Sequence, residues 1–232
     1  MTTSRERMLA KIQSGLVAVR PIMEAEAALA PHAAPAHVHP AQDDLVAQFA
    51  AELIKLECFP HPCADDEEAL DLIGEILAKH AAHSVIAWDL EQIGLAGLPA
   101  LLAQQGISAH TVDTTGAGRA AALQELEPIS VCISGAEAGI AESATVIVRG
   151  GAGRPRLASL LAPAYIAVLR RSQIARGLGE ALATLRARHG DALFGDASSL
   201  TLISGPSRTA DIELTLTLGV HGPREVHVLL IG

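Results

Sequence analysis

The segment at residues 204–225, SGPSRTADIELTLTLGVHGPRE, brings several types of chemically active side chain together in a chain that is rich in alanine and leucine. It contains hydroxyl groups, a guanidinium group, carboxylates, a histidine and two Gly-Pro steps between two apolar runs. A guanidinium fork and free backbone N–H groups suit a carboxylate or phosphate. The sequence therefore predicts a small-anion site. Its candidate residues are Ser204, Gly205, Ser207, Arg208, Thr209 and Asp211.

The backbone of this segment has two interpretations. The apolar residues at positions 212, 214, 216 and 218 alternate with polar ones, which is typical of a strand. A connection between two parallel strands instead requires a crossover, usually a helix. We predict a short helix from about Thr209 to Gly219, with its first N–H groups facing a cleft. Asp211 would then either neutralise the helix dipole or orient Arg208.

Two residues are candidates for acid–base or nucleophilic catalysis. Glu142 lies in SGAEAGIAESAT (residues 134–145), which also contains Glu137, and its small neighbours precede a buried strand. Such surroundings can raise the pKa of a carboxyl group. His221 lies between glycines and titrates near neutral pH. The ordinary alternatives remain open, namely a turn carboxylate held by backbone donors and a solvated histidine.

Arginines follow two further predicted strands. Arg170 and Arg171 come directly after the apolar run at residues 164–169, and adjacent strand residues point to opposite faces. One of them therefore faces a cleft, and Arg170 is the candidate ligand-binding residue. The glycine-rich RGGAGRPR (residues 149–156) lacks the phosphate-loop patterns and predicts a mobile loop that carries three arginines near the mouth of the cleft.

No metal or cofactor is predicted for this chain. The three cysteines form no CxxC motif, and an iron–sulfur cluster usually needs about four thiolates. His37 and His39 alternate in a proline-rich stretch and could face one ligand if the backbone is extended, but solvated loop histidines are the commoner case.

Apolar strands that alternate with helical patterns indicate a three-layer α/β fold with a mainly parallel sheet. Ligands of such sheets bind beyond the carboxyl ends of the strands. We predict a first helix, capped by Thr2, Thr3 or Ser4 and ending at Gly15, then an extended Pro/His-rich arm at residues 21–40. This gives an N-terminal part at 1–42 and an α/β domain at 43–232. The strands are predicted at 84–88, 107–113, 129–135, 144–148, 164–169, 199–204 and 226–231.

The composition excludes several classes of protein. A net charge of −9 and only 2% aromatic residues argue against a nucleic-acid partner. The longest nearly uncharged apolar stretch, residues 157–169, is shorter than the roughly 20 residues that span a bilayer. The N-terminus has no apolar signal core, so we expect a cytoplasmic protein without a membrane span.

Four motifs together resemble the LUD-domain family, and within it the lactate utilization protein C group: SGPSRTADIE, GVHGPREVHVLLI, AGIAES and LLAPAYIAVLRRSQI. The resemblance is strongest from about residue 130 to the C-terminus. It implies a fold like that of glucosamine-phosphate isomerases, ribose-phosphate isomerases and CoA transferases. It also implies a role in the oxidation of L-lactate to pyruvate, together with partner subunits that carry iron–sulfur clusters.

Three hypotheses follow. The first is a cluster-free accessory subunit whose cleft binds a small carboxylate or phosphate through Ser207, Arg208, the Gly205 turn and Arg170. The second is a stand-alone enzyme, similar to a CoA transferase or a sugar-phosphate isomerase, with Glu142 as base or nucleophile and His221 as acid. The third is a regulatory module that senses a metabolite. The sequence leaves a homodimer open in each case.

Overall fold

The structure is a computed structural model that describes residues 3–27, 44–111, 118–210, 216–219 and 221–232. The chain divides into two units, Met1–Ala36 and His37–Gly232. The described helices are α1 (Ser4–Ala27), α2 (Leu45–Lys55), α3 (Asp66–Lys79), α4 (Leu98–Gln104), α5 (Arg119–Leu126), α6 (Leu178–His189) and α7 (Ala192–Gly195). The described strands are β1 (Phe59–Cys63), β2 (Ser84–Ala87), β3 (Ser108–His110), β4 (Val131–Gly135), β5 (Ala138–Ile140), β6 (Thr145–Gly150), β7 (Ala164–Arg170), β8 (Ile174–Ala175), β9 (Ser199–Ile203), β10 (Arg208–Ala210), β11 (Leu216–Leu218) and β12 (Glu225–Ile231).

The N-terminal helix α1 begins with a capping box. The Thr3 hydroxyl accepts a hydrogen bond from the Glu6 amide at 3.2 Å, and the Glu6 carboxylate accepts one from the Thr3 amide at 2.6 Å. The helix continues through Pro21 to Ala27, so the predicted end at Gly15 and the extended arm from residue 21 are wrong as far as residue 27. Good helix formers after Pro21 favour this continuation. The rest of the predicted arm, with His37 and His39, lies outside the described residues.

None of the helices within the described ranges combines the length and the apolar composition of a bilayer-crossing segment.

The main sheet has six parallel strands in the order β1-β12-β7-β4-β2-β3. Its central strands β12, β7 and β4 are buried along almost their whole length, as expected for a parallel sheet covered on both faces. Tyr165 is fully buried at the centre, and its hydroxyl is hydrogen-bonded to that of Ser134 at 2.8 Å. The structure confirms the predicted three-layer α/β fold.

A second sheet holds two strands that the sequence analysis placed in the main one. Its order is β8-β5-β6-β9, and β6 pairs antiparallel with both β5 and β9. Only the tight turn Ala141–Ser143 and the left-handed Ala144 (φ 48°) join β5 to β6. This connection is too short for a parallel crossover, so the chain turns back on itself.

The predicted helix between Thr209 and Gly219 is wrong. Strands β10 and β11 form an antiparallel pair in which Arg208 lies opposite Leu218 and Thr209 opposite Thr217. Because β9 belongs to the second sheet, no parallel crossover is needed here, and the described end of the alternating pattern, Leu216–Leu218, is strand. Asp211 lies outside the described residues.

Strand β1, with the sequence FPHPC, was not predicted. It pairs with β12 at one edge of the main sheet, in the register Phe59 to His227 and Cys63 to Ile231. The Cys63 carbonyl accepts a hydrogen bond from the Gly232 amide, so alternate residues of β1 bond to β12. Pro60 and Pro62 occupy the positions in between, which face the open edge.

Candidate ligand-binding site

A cavity of about 200 Å³ lies at the carboxyl ends of β2, β4 and β7. This is the edge at which ligands of open parallel sheets bind. Its polar lining comes from segments that directly follow these strands and from the glycine-rich loop after β6. The polar side chains that line it are Trp88, Gln92, Glu137, Arg154, Arg170 and Gln173.

Two glycines allow the backbone to close over this cavity. A Cβ atom at Gly135 would lie 2.8 Å from the carbonyl oxygen of Ile93, so glycine lets the loop after β2 approach the end of β4. Gly153 has a left-handed backbone (φ 70°), and a Cβ atom there would lie 2.3 Å from the Gln92 amide nitrogen. The Gly153 carbonyl accepts a hydrogen bond from the Asp89 amide at 2.7 Å, which joins the two loops.

Trp88 and Arg154 line the cavity, and each of them carries a buried nitrogen donor without an acceptor. Trp88 is only 3% exposed, and its indole Nε1 has no hydrogen-bond partner. The Nε of Arg154 is also buried without a partner. A buried donor that lacks an acceptor costs about 1–3 kcal/mol, and such groups normally bind something. The two donors therefore indicate a ligand with acceptor oxygens.

Glu137 holds the arginine of this pair in place. Its carboxylate accepts hydrogen bonds from Arg154 Nη1 at 3.3 Å and Arg188 Nη1 at 3.5 Å, and it contacts His189 Nε2 at 3.0 Å. Two guanidinium groups share this one buried carboxylate, so it compensates the charge of only one of them. This environment favours a second anion beside Arg154.

Arg170 and Arg171 diverge as the sequence analysis expected, and Arg170 lines the cavity. Arg170 forms an ion pair with Asp66, at 3.2 Å between Nη2 and Oδ2, and donates to the Gly94 carbonyl at 2.6 Å. Arg171 instead donates to the carbonyls of Leu230 and Cys63. The guanidinium group of Arg170 thus bonds to protein groups. In this way Arg170 holds the rim of the cavity in place.

Arg208 lies on the side of the main sheet where the strands begin, away from the cavity at their carboxyl ends. Its Nη2 donates to the Leu56 carbonyl at 2.6 Å and to Glu57 Oε2 at 3.2 Å, just before β1 begins. A cation here stabilises the C-terminus of α2. Arg170 ends β7, whose seven residues span about 20 Å. The structure therefore does not bring Arg170 and Arg208 together.

The neighbours of Arg208 connect parts of the fold. The Ser204 hydroxyl is hydrogen-bonded to that of Thr145 at 2.7 Å. Gly205 has a left-handed backbone (φ 88°) and packs against Leu56. The Ser207 amide donates to the Pro223 carbonyl, and its own carbonyl accepts from the Gly219 amide, both at 2.9 Å. The segment thus links the second sheet to the loop before β12.

Glu142 and His221 have separate surroundings. Glu142 is half-buried in the turn between β5 and β6, where its amide donates to the Arg176 carbonyl at 3.1 Å. His221 is exposed in a hollow of about 400 Å³ that Arg224 and Pro163 also line. The cavity at the carboxyl ends of the strands, here called the carboxyl-edge cavity, is lined by the carboxylate of Glu137.

Sequence reasoning placed arginines of the glycine-rich loop near the cleft, and Arg154 lies there. Arg149 is buried and donates to the carbonyls of Ala192 and Leu193, while Arg156 is exposed. Trp88 lines the cavity as well, although no sequence motif pointed to it. Its position directly after the buried strand β2 was the signal that could have found it.

Comparison with known proteins agrees with the sequence motifs. The sequence model of the LUD domain matches residues 46–231. Lactate utilization protein C of Geobacillus sp. (strain WCH70) is 30% identical over 82% of this chain and 79% of its own length. Lactate utilization protein C of Shouchella clausii (strain KSM-K16) is 34% identical over 71% of this chain and 68% of its own length.

The fold has a solved counterpart. The crystal structure of a DUF162 family protein from Deinococcus radiodurans aligns with a TM-score of 0.58 and 22% identity, and the alignment covers 84% of this chain and 100% of that one. At this identity the likeness concerns the fold alone. The match of the LUD domain, in contrast, spans nearly all of the α/β region. The chain therefore belongs to the LUD-domain family.

Proposed function

We propose that this chain is the cluster-free, ligand-binding component of a lactate-utilization system. In this role its carboxyl-edge cavity binds the carboxylate of L-lactate or of pyruvate, the product of L-lactate oxidation. The relatives named lactate utilization protein C support the biological role. The cavity lined by Trp88 and Arg154 supports the class of ligand.

The observation that carries the proposal is the pair of buried, unpaired donors at the cavity, Trp88 Nε1 and Arg154 Nε. A carboxylate offers two oxygens and negative charge, which suits a pair of donors one of which belongs to a cation. Charge-assisted hydrogen bonds of this kind are about twice as strong as neutral ones. Glu137 keeps the guanidinium of Arg154 in position, and the guanidinium charge that Glu137 leaves uncompensated offsets the charge of the ligand.

In this proposal the chain binds and orients the acid, and electrons pass to partner subunits that carry iron–sulfur clusters. Its three cysteines are fewer than the roughly four thiolates that a cluster usually needs. The ligand is held at the end of the sheet, where only the closing loops separate it from solvent. A docked partner would therefore reach it from that side.

The single tryptophan of the chain allows a direct test. Because Trp88 lines the cavity, L-lactate and pyruvate should change its fluorescence in a saturable way, whereas uncharged lactamide should not. Inorganic phosphate serves as a second anion. Binding of phosphate without either acid would favour a sugar-phosphate ligand and contradict the proposal.

Two experiments in cells test the biological role. Deletion of the gene should abolish growth on L-lactate, and the tagged chain should co-purify with iron–sulfur subunits from cells grown on L-lactate. Normal growth of the deletion strain would overturn the role in lactate use. Turnover of a thioester or sugar phosphate by the purified chain alone would favour a stand-alone enzyme.

A further inference from the structure

A second group of polar side chains lies at the amino end of β12. The cavity, in contrast, lies at the carboxyl ends of the strands. The second group consists of Glu225 and His227 on β12 and His80 at the C-terminal end of α3. One ligand atom from each of the three residues lies within 4.8 Å of the others. This cluster does not belong to the proposed carboxylate site. Glu225 and His227 lie in the motif GVHGPREVHVLLI, but the sequence analysis gave neither of them a role.

Two of the three distances within the cluster are close to those between ligands that share one metal ion. His80 Nε2 lies 3.3 Å and His227 Nε2 3.6 Å from the same oxygen, Glu225 Oε2. Zinc binds imidazole nitrogen and carboxylate oxygen at about 2.0–2.2 Å with tetrahedral angles, so neighbouring donor atoms lie roughly 3.3–3.5 Å apart. Both contacts to Glu225 are close to this spacing, and the two histidines bring their ligand atoms within 4.8 Å of each other.

The ring nitrogens that would bind the metal lack other hydrogen-bond partners. His227 Nε2 and His80 Nε2 are buried and form no hydrogen bond, although both lie near Glu225. The His227 side chain is only 5% exposed.

His61 on β1 fixes the orientation of His227. Its Nε2 lies 3.0 Å from His227 Nδ1, and the two rings are stacked with centroids 5.2 Å apart. Phe59 stacks on the same histidine. When His227 donates from Nδ1, its Nε2 carries the free lone pair that faces Glu225 and His80. Histidines that bind metals are commonly held by such an outer hydrogen bond.

Lys79 is the competitor for this position. Its ammonium group lies 2.8 Å from Glu225 Oε2, and the side chain is 59% exposed. A bound metal ion would take this oxygen. Lys79 could then turn to solvent or bind the other carboxylate oxygen, and its exposure leaves room for this movement.

We propose that His80, Glu225 and His227 form a binding site for a divalent transition-metal ion, with Zn²⁺ as the best match to two imidazoles and one carboxylate. Water completes the coordination. His61 acts as a positioning residue through His227. The ion would join the end of α3 to the start of β12 and so stabilise the main sheet.

The test uses the full chain, freed of metal by a chelator and titrated with Zn²⁺ or Co²⁺. We expect one equivalent of Co²⁺ to give the strong visible absorption of a four-coordinate site, and Zn²⁺ to displace it. Zn²⁺ should also raise the thermal midpoint by several degrees, because it binds only the folded state.

Variants locate the site. His80→Ala and Glu225→Gln should each weaken Zn²⁺ binding at least about 100-fold, whereas the outer-shell change His61→Phe should weaken it about 10- to 100-fold. His80 lies at a helix end, so its variant tests the ligand without cutting into the core. A thermal melt of each metal-free variant verifies folding.

The controls are the exposed His110→Ala and a double variant of His37 and His39 to alanine, which should bind Zn²⁺ like the wild type. Absence of saturable Zn²⁺ and Co²⁺ binding would overturn the proposal. Full affinity in the folded His80→Ala variant, or loss of binding in the His37/His39 double variant, would also overturn it.

Discussion

The guanidinium carbon of Arg154 lies 5.8 Å from the ring centroid of Trp88, and each of these side chains leaves a buried nitrogen without an acceptor. The ring stabilises the cation, while the two N–H groups remain available to a ligand. The pair joins two distant parts of the sequence, the end of β2 and the loop after β6. It is therefore the first target for mutation.

Replacement of Trp88 by phenylalanine should distinguish the contribution of the indole N–H donor to binding from that of the aromatic ring. Phenylalanine keeps an aromatic face beside Arg154 but has no N–H group, so we expect the affinity for L-lactate to fall about tenfold. Stability should fall by about 1–3 kcal/mol, because the smaller ring leaves a cavity at a position that is only 3% exposed. Isothermal titration calorimetry measures the affinity, and unchanged binding would exclude the indole as a ligand contact.

Arg154→Gln should have a larger effect on binding than Trp88→Phe. The change removes a buried positive charge as well as the unpaired Nε donor, so we expect affinity for L-lactate to fall by more than tenfold. Arg188 and His189 still hold Glu137 in this variant. Arg156→Gln is the matched control, since Arg156 lies in the same loop with its side chain exposed, and it should bind like the wild type.

Arg208→Ala tests whether the anion binds at the cavity or at the SGPSRT segment. The guanidinium of Arg208 binds the carbonyl at the end of α2, so its loss should lower the free energy of unfolding by about 1 kcal/mol. Affinity for L-lactate should not change. Urea denaturation and calorimetry measure the two quantities. Loss of binding with unchanged stability would instead place the anion at the SGPSRT segment.

The wild type should lose stability at alkaline pH because of the Cys132 thiol, and Cys132→Ser should not show this loss. Burial raises the pKa of the Cys132 thiol from 9.0 to about 11. Since the folded pKa is the higher one, the stabilising contribution is complete below pH 9 and is lost as the pH rises from 9 to 11. Between these values the wild type should lose about 2–3 kcal/mol relative to the serine variant.

Serine is a suitable replacement because its hydroxyl does not titrate in this range. It can also keep the two hydrogen bonds of the thiol, to the Leu157 carbonyl and from the Ala162 amide. Urea denaturation at pH 8, 9, 10 and 11 compares the two proteins. A constant difference in unfolding free energy across this series would contradict the assigned cause.

Local patterns predicted the main sheet well and the site only in part. The apolar runs around Val131, Tyr165 and Leu229 are buried strands because they pack between two layers of helices, which their composition already indicates. The run FPHPC at β1 has no such composition, because an edge strand tolerates Pro60 and Pro62. Its pairing with β12 depends on a partner more than 160 residues away, at His227.

The roles of the arginines depended on contacts that no local pattern contains. The acceptor of Arg208 is the Leu56 carbonyl, 152 positions earlier in the chain, so the motif alone suggested an anion site. Arg170 was placed correctly at a strand end, but its ion pair with Asp66 joins residues 104 positions apart. Trp88 was interpreted as the last residue of a strand, and only the fold shows that its indole nitrogen lacks an acceptor.

The alternating prolines of β1 have a consequence for self-association. A strand from another molecule that approached this border of the sheet would meet carbonyl oxygens but no amide hydrogens at Pro60 and Pro62. Two copies therefore cannot fuse their sheets into one continuous structure there without forfeiting hydrogen bonds. A dimer formed by strand pairing is therefore disfavoured at β1, and the same border resists the strand addition that begins fibril growth.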